Sequence, residues 1–350
     1  MKKVLIISLK HLGDLVTTTC IPPLIRQNWP EAEIHYLANP GAGPLVINNP
    51  LVAKVHLADR RGGAAASWKL FRALRREKFS LILDYSEGDR GAFWGLATGA
   101  RERIGYRSKK NHYFRNWSHT KLIPDRALAL DRNISYSHAQ ALALLGRPAD
   151  VIPLPQVCFT PAGAEKAQNF LRQNGLKPGQ AYYLFHMTTR ERIRQWPAEH
   201  CLEAVNWVNN NLGPVVLAAW SDPAEMEFVA GLIAAADKPV INAAGVLDLD
   251  ALTALINGST LFVGVDSLLG HLAGALGRPT VSVFGPYADV HWAPRGPLVK
   301  VAHVDRPCRP CVRRGGVPGE GGCRGGGLSG CLEDLSFQTY VRPLIEQLLA

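Results

Sequence analysis

Four clusters in the sequence combine residue types and spacings able to do chemistry. The first, Lys10-His11-Leu12-Gly13-Asp14, follows the apolar run KKVLIISL and opens a helical pattern. In parallel sheets ligands bind at the carboxyl ends of strands, so this turn belongs at a binding edge, where the Asp14 carboxylate could take a proton from a substrate hydroxyl. A plainer role is equally open, because Asp is a favoured helix N-cap. The turn lacks G-x-G-x-x-G, which argues against a dinucleotide oxidoreductase.

The second cluster runs from His186 through Met187, Thr188, Thr189, Arg190, Glu191, Arg192, Ile193, Arg194 and Gln195 to Trp196, after the strand-like YYLFHM. Two hydroxyls and three alternating guanidinium groups suit a diphosphate, since hydroxyl and backbone donors and guanidinium forks all favour phosphate oxygens. A solvated basic loop paired with Glu191 and Glu199 is the bland reading. In the third cluster a strand, TLFVGV, delivers Asp266 and Ser267 to the mouth of a helix, with His271 one turn further along. Free N–H groups and the positive end of such a helix form an anion site, although a cap plus a helical histidine would look alike. The fourth is Cys308-x2-Cys311-x11-Cys323-x7-Cys331, separated by glycines. It fits either a structural tetrahedral Zn²⁺ or free or reversibly paired thiols.

The elements that must position these clusters follow from the apolar pattern. Strand-length runs occur at KKVLIISL, EIHYLA, SLILDYS, YYLFHM, GPVVLAAW, TLFVGVD and TVSVFG. Helical patterns lie between most of them, including Leu15 to Asn28, SWKLFRALRREKF, PAGAEKAQNFLRQNG, PAEHCLEAVNWVNNN, PAEMEFVAGLIAAA and DLDALTALING. That alternation predicts parallel α/β domains. The proline-spaced stretch RPADVIPLPQVCFTP divides them, giving lobes at 1–155 and 156–332 and a closing helix at 333–350. Residues 311–330 hold nine glycines and must form a loop.

Charge is unevenly shared. Residues 1–150 hold 23 Lys and Arg against 12 Asp and Glu, net +11, whereas 151–350 hold 16 against 17, net −1. No apolar run approaches the ~18 residues of a membrane span, and the N-terminus lacks a signal-peptide cleavage pattern. A cytoplasmic protein with mostly reduced cysteines is therefore expected.

Together these segments resemble the ADP-heptose:lipopolysaccharide heptosyltransferases, glycosyltransferase family 9. The carriers are Gly13-Asp14 after the first strand, Thr188-Thr189-Arg190 through Trp196-Pro197, and FVGVDS through His271 to Phe284-Gly285-Pro286. GCRGGGLSGCL is similar to a cysteine-rich insert of the heptosyltransferase III-like branch. The resemblance implies a GT-B architecture, two Rossmann-like lobes facing across a cleft, with acceptor on the first and nucleotide sugar on the second. It implies an inverting, metal-independent transfer of heptose from ADP-heptose to a hydroxyl of the lipopolysaccharide inner core, with no catalytic cofactor. Asp14 would be the general base. Thr188, Thr189, Arg190, Arg194, Glu225, Asp266, Ser267 and His271 would bind the donor, Glu225 at the ribose. Lys10, His11, Arg107 and Lys109 fall to the anionic acceptor, and peripheral contact of a monomer with the inner leaflet would follow. Two departures stand out: Arg194 replaces the usual Lys, and Leu268 replaces a small residue after Asp266-Ser267.

Two dense basic stretches fit an anionic, lipid-linked acceptor: Arg60–Lys78 has seven basic residues against one acidic, and Arg101–Arg132 has nine against three. Tyr106, Tyr113, Phe114 and Trp117 in the second could stack on sugars. The alternatives are a related transferase using another nucleotide sugar and a basic nucleic-acid-binding protein. No nucleic-acid motif supports the latter.

Overall fold

A computed structural model of the chain describes residues 3–108, 113–124, 131–311 and 329–350. The chain divides into two compact units, Met1–Cys158 and Phe159–Ala350, later than the division after residue 155 read from the prolines.

The first unit is built on six parallel strands: β1 (Lys3–Ser8), β2 (Glu33–Ala38), β3 (Lys54–Leu57), β4 (Leu81–Asp84), β5 (Glu102–Tyr106) and β6 (Lys121–Ile123). Their order across the sheet is β3-β2-β1-β4-β5-β6, and β1 lies between β2 and β4 with Val4 opposite both Ile34 and Leu81. Central position explains composition: β1 is buried on both faces, so it reads as a continuous apolar run. Leu5, Ile7 and Ile82 pack against Leu74 and Trp94 of the flanking helices Gly63–Glu77 and Asp89–Ala97.

The helical pattern expected from Leu15 to Asn28 is two helices, Leu12–Thr18 and Ile21–Asn28. Pro22 and Pro23 have no N–H to continue the ladder, and the hydroxyls of Thr17, Thr18 and Thr19 bond back to the carbonyls of Asp14, Leu15 and Val16. The helix therefore stops and restarts.

The second unit repeats the plan with β7 (Tyr183–His186), β8 (Val215–Leu217), β9 (Ile241–Asn242), β10 (Leu261–Val265), β11 (Thr280–Val283) and β12 (Val299–Ala302), all parallel, in the order β12-β11-β10-β7-β8-β9. Both sheets thus have the doubly wound Rossmann order, whose crevice lies where the strand order reverses. That point is between β1 and β4 in the first unit and between β7 and β10 in the second. Gly264 sits opposite His186 there, and a side chain at Gly264 would run into the His186 carbonyl at 2.9 Å and the Phe262 ring.

The expected closing helix at 333–350 is not one helix. A short turn at Gly330–Glu333 is followed by a wide π-type turn at Phe337–Val341 and then the helix Arg342–Leu349. Phe337, Val341 and Ile345 are buried in the same core as Phe185, Val205 and Val263, so this segment completes the second unit.

Candidate functional site

In the first unit the Lys10–Asp14 turn leaves the carboxyl end of β1. Asp14 is not the N-cap: His11 takes that position, and Asp14 is the third helical residue, where its carboxylate accepts the His11 N–H at 3.3 Å. Asp14 is half-buried. Neighbouring strand ends hold the turn in place. The Ser86 hydroxyl accepts the Leu9 N–H at 3.0 Å, and the Asn39 amide donates to the carbonyls of Leu9 and Lys10, both at 3.1 Å. Arg90 in turn donates to Asn39 at 2.8 Å and to the Ala58 carbonyl. Lys10 pairs with Glu87 at 3.0 Å. Backbone and side-chain polar groups are thereby satisfied around Asp14 while the carboxylate itself stays reachable.

The remaining acceptor candidates divide. His11 and Arg107 are exposed, and Lys109 lies outside the described residues. Tyr106 is buried, and its hydroxyl meets His138 Nδ1 at 2.6 Å, so it is unavailable for stacking on a sugar. Trp117 is 70% exposed and Phe114 39%, which leaves aromatic surface on the helix Tyr113–Ser118.

In the second unit the strand ends of β7 and β10 bring two sequence motifs together. Ser267 Oγ lies 2.9 Å from Nδ1 of buried His186, and Thr188 Oγ1 lies 3.4 Å from its Nε2. Thr188 donates to Glu225 at 2.8 Å, and the Trp220 N–H donates to the same carboxylate oxygen at 3.3 Å. Arg194 divides its guanidinium between Asp266 at 3.3 Å and Glu191 at 3.0 Å and stacks over the Tyr287 ring, 5.2 Å from its centre. The planar guanidinium meets both carboxylates while lying over the ring, a geometry that a lysine's ammonium does not reproduce, which gives the Lys-to-Arg departure a structural meaning. Tyr287 donates to Glu191 at 2.5 Å, closing the loop.

Electrostatics at this edge follow from burial. Burial pushes the Asp266 carboxyl up from the usual aspartate range, against Arg194 and His271, which favour its charge. Burial also pushes His186 down to about 4, so near neutral pH the ring carries one proton. Ser267 is the N-cap of the helix Leu268–Ala275, yet its side chain makes no capping bond. Thr189 is half-buried, with its hydroxyl accepting the Glu191 N–H at 3.4 Å, and Arg190 is exposed. Trp196 anchors the far end of the loop, its indole N–H bonded to the Leu335 carbonyl at 2.8 Å.

The expected four-cysteine set is not decided, because only three of its members are described. Among the described residues, the ligand atoms close enough to share one ion belong to His35, His56 and Glu77, not to Cys308, Cys311 and Cys331; Cys323 lies outside them. His35 and His56 are already joined, Nδ1 to Nε2 at 3.1 Å, and Lys3 and Lys54 both donate to Glu77 at 2.7 Å. That cluster is an internally satisfied network.

Sequence reasoning found the strand-end motifs but missed their supports: Asn39, Ser86, Glu87 and Arg90 around Asp14, and His138 beneath its helix, 3.0 Å from Thr17. It quoted His186 without a role. Asn39 follows β2, Ser86, Glu87 and Arg90 follow β4, and His138 lies within the helix Ile134–Ala143; for the first four the available signal was only a place just after an apolar run.

Comparison with known proteins gives the family and the fold. Residues 67–318 match the family model "Glycosyltransferase family 9 (heptosyltransferase)". A lipopolysaccharide heptosyltransferase 3 of Escherichia coli is 25% identical over 290 residues, covering 81% of this chain and 83% of that protein. The fold is that of solved GT-B proteins. A family 9 glycosyl transferase from Veillonella parvula superposes with a TM-score of 0.84 at 19% identity, over 99% of this chain and 97% of the other. The E. coli ADP-heptose lipopolysaccharide heptosyltransferase II superposes with a TM-score of 0.78 at 20% identity, over 99% and 98%. With more than half its length matched by the family model, the chain is a glycosyltransferase belonging to family 9, the heptosyltransferase family.

Proposed function

We propose that the protein transfers a heptose from ADP-heptose to a hydroxyl of the lipopolysaccharide core, with inversion at the anomeric carbon. The observation that carries this reading is the placing of two polar networks side by side at the carboxyl ends of β7 and β10, one joining Glu225, Thr188, His186 and Ser267 and the other joining Arg194 to Asp266, the residue next to Ser267. Hydroxyls, a guanidinium fork and the N-terminus of the helix Leu268–Ala275 offer donors for a diphosphate. Glu225 offers an acceptor for ribose hydroxyls. Thr189 and Arg190 border the same loop, and His271 adds a further polar group one turn into the helix.

In this reading Asp14 removes the proton from the attacking hydroxyl as the bond to the anomeric carbon forms and the bond to the ADP oxygen breaks. Leaving-group charge develops on the diphosphate, where Arg194 and the helix N-terminus oppose it. General-base assistance of this kind is worth ~10²–10⁴ in rate. The acceptor is anionic and lipid-linked. The +11 charge of residues 1–150 draws it by salt-screened attraction, with Lys10, His11 and Arg107 at the acceptor, and exposed Phe114 and Trp117 fit peripheral contact with an anionic membrane surface.

A thermal-shift panel with ADP, UDP, GDP and duplex DNA tests the donor assignment. Stabilisation by ADP above the other nucleotides is expected. A preference for UDP or GDP would transfer the reading to another nucleotide sugar, and stabilisation by DNA alone would overturn it.

A further inference from the structure

His186 is buried at the end of β7, between two residues proposed to hold the donor, and no step of the proposed transfer uses it. Its hydrogen bonds have only one consistent direction. Thr188 Oγ1 spends its proton on the Glu225 carboxylate, which can only accept. Thr188 must then accept from His186, so the imidazole proton sits on Nε2. His186 Nδ1 is left as an acceptor, and the Ser267 hydroxyl 2.9 Å away must donate to it. Ser267 makes no capping bond to its own helix, in keeping with a hydroxyl turned toward the ring. A single chain of donors therefore runs from Ser267 through His186 and Thr188 to Glu225.

In this state the Ser267 proton is committed to the ring, and a single Glu225 oxygen, Oε2, takes both the Thr188 hydroxyl and the Trp220 N–H at 3.3 Å, leaving Oε1 to meet the ribose. We propose that His186 is a two-state positioning residue whose tautomer couples the diphosphate subsite at Ser267 to the ribose subsite at Glu225. The proposal rests on the donor-binding reading above. A phosphate oxygen recruits the Ser267 proton; Nδ1–H then donates to Ser267 Oγ, Thr188 turns to donate to Nε2, and Glu225 Oε2 is released, so that the carboxylate can accept both ribose hydroxyls rather than one. The imidazole proton moves from Nε2 to Nδ1, each hydroxyl keeps its own, and no net proton is gained or lost. Burial of the ring, which keeps it neutral, gives the exchange two states rather than three. Diphosphate and ribose therefore favour the same state, and each raises the affinity for the other.

The test is imidazole ¹⁵N NMR on the full chain with labelled histidine, His186 being assigned by the signal lost in His186→Gln. Without ligand the proton is expected on Nε2, and ADP is expected to move it to Nδ1. A second readout needs no assignment. In the wild type, the loss of affinity on removing both ribose hydroxyls is expected to be about fivefold or more greater for ADP than for adenosine. In His186→Gln and His186→Asn, whose amides reach only one end of the relay, the two losses should be equal. ADP that binds without moving the proton, or equal losses in the wild type, would overturn the coupling alone. Failure to bind ADP at all would overturn the donor reading and the coupling with it.

Discussion

Asp14 and Asp266 occupy comparable places, each just past a strand at the switch point of its own Rossmann sheet, and the two units treat them oppositely. Asp14 is half-exposed, held by one long bond of 3.3 Å from the His11 N–H. Asp266 is buried and faces the Arg194 guanidinium at 3.3 Å. The first arrangement leaves a carboxylate open on one side, whereas the second seats a buried carboxylate against a guanidinium. In the proposed function these environments assign different duties, proton acceptor for Asp14 and support of the diphosphate-binding Arg194 for Asp266.

Substitution should separate these duties sharply. Asp14→Asn is expected to lower single-turnover transfer by about 10³-fold while leaving ADP affinity within about twofold, because only a transition-state contact is lost. Steady-state kinetics with calorimetry checks this, and turnover within tenfold of wild type would reduce Asp14 to a helix-capping residue.

The next effect concerns stability. Burial holds His186 of the second unit at about 4, below its ordinary value of 6.5. Neutral imidazole is therefore favoured by folding, and its contribution is present above pH 6.5 and lost as pH falls toward 4. The loss amounts to roughly 3 kcal/mol from this one ring. Melting temperatures between pH 7 and 4.5 should fall more steeply for the wild type than for His186→Gln. Parallel curves would show that the ring is not the titrating group.

Asp266→Asn should weaken ADP binding roughly tenfold, the worth of a charge-assisted contact to an arginine that still keeps Glu191 as a partner. Its effect on the rate at saturating donor should be small. A selective loss of kcat instead would erase the contrast with Asp14. The smallest change is expected at Arg107, which is exposed: Arg107→Glu should raise acceptor KM about threefold at low salt and less at high salt, with donor KM unchanged. Equal effects on both KM values would contradict a division of labour between the units.

The sequence made the centre of each sheet legible and the margins much less so. Strands β1, β4, β7 and β10 are buried on both faces and are dominated by apolar residues, and β11 is equally buried although Thr280 and Ser282 alternate with its valines. Four of the strands not anticipated, Lys54–Leu57, Lys121–Ile123, Ile241–Asn242 and Val299–Ala302, are edge strands with incompletely buried positions that dilute that signal, and the fifth, Glu102–Tyr106, lies between β4 and β6 but opens on the half-buried charged residues Glu102 and Arg103. The same asymmetry holds at the site. Residues adjacent to a central strand, such as Asp14, Thr188 and Asp266, announce themselves by position. Their partners arrive from elsewhere in the chain, as Asn39 and Arg90 do for the Lys10 turn, and only the fold brings them there. Tyr106 shows the converse: an aromatic in a basic stretch reads as a ligand contact, but β5 turns it inward onto His138.

The most direct measurement of the account is mass spectrometry of heptose-truncated lipopolysaccharide incubated with ADP-heptose and either the wild-type protein or Asp14→Asn. The account predicts addition of a single heptose and release of ADP with the wild type, and about a thousandfold slower product formation with the variant. No heptose transfer by a wild-type protein that binds ADP, or undiminished transfer by the variant, would contradict it.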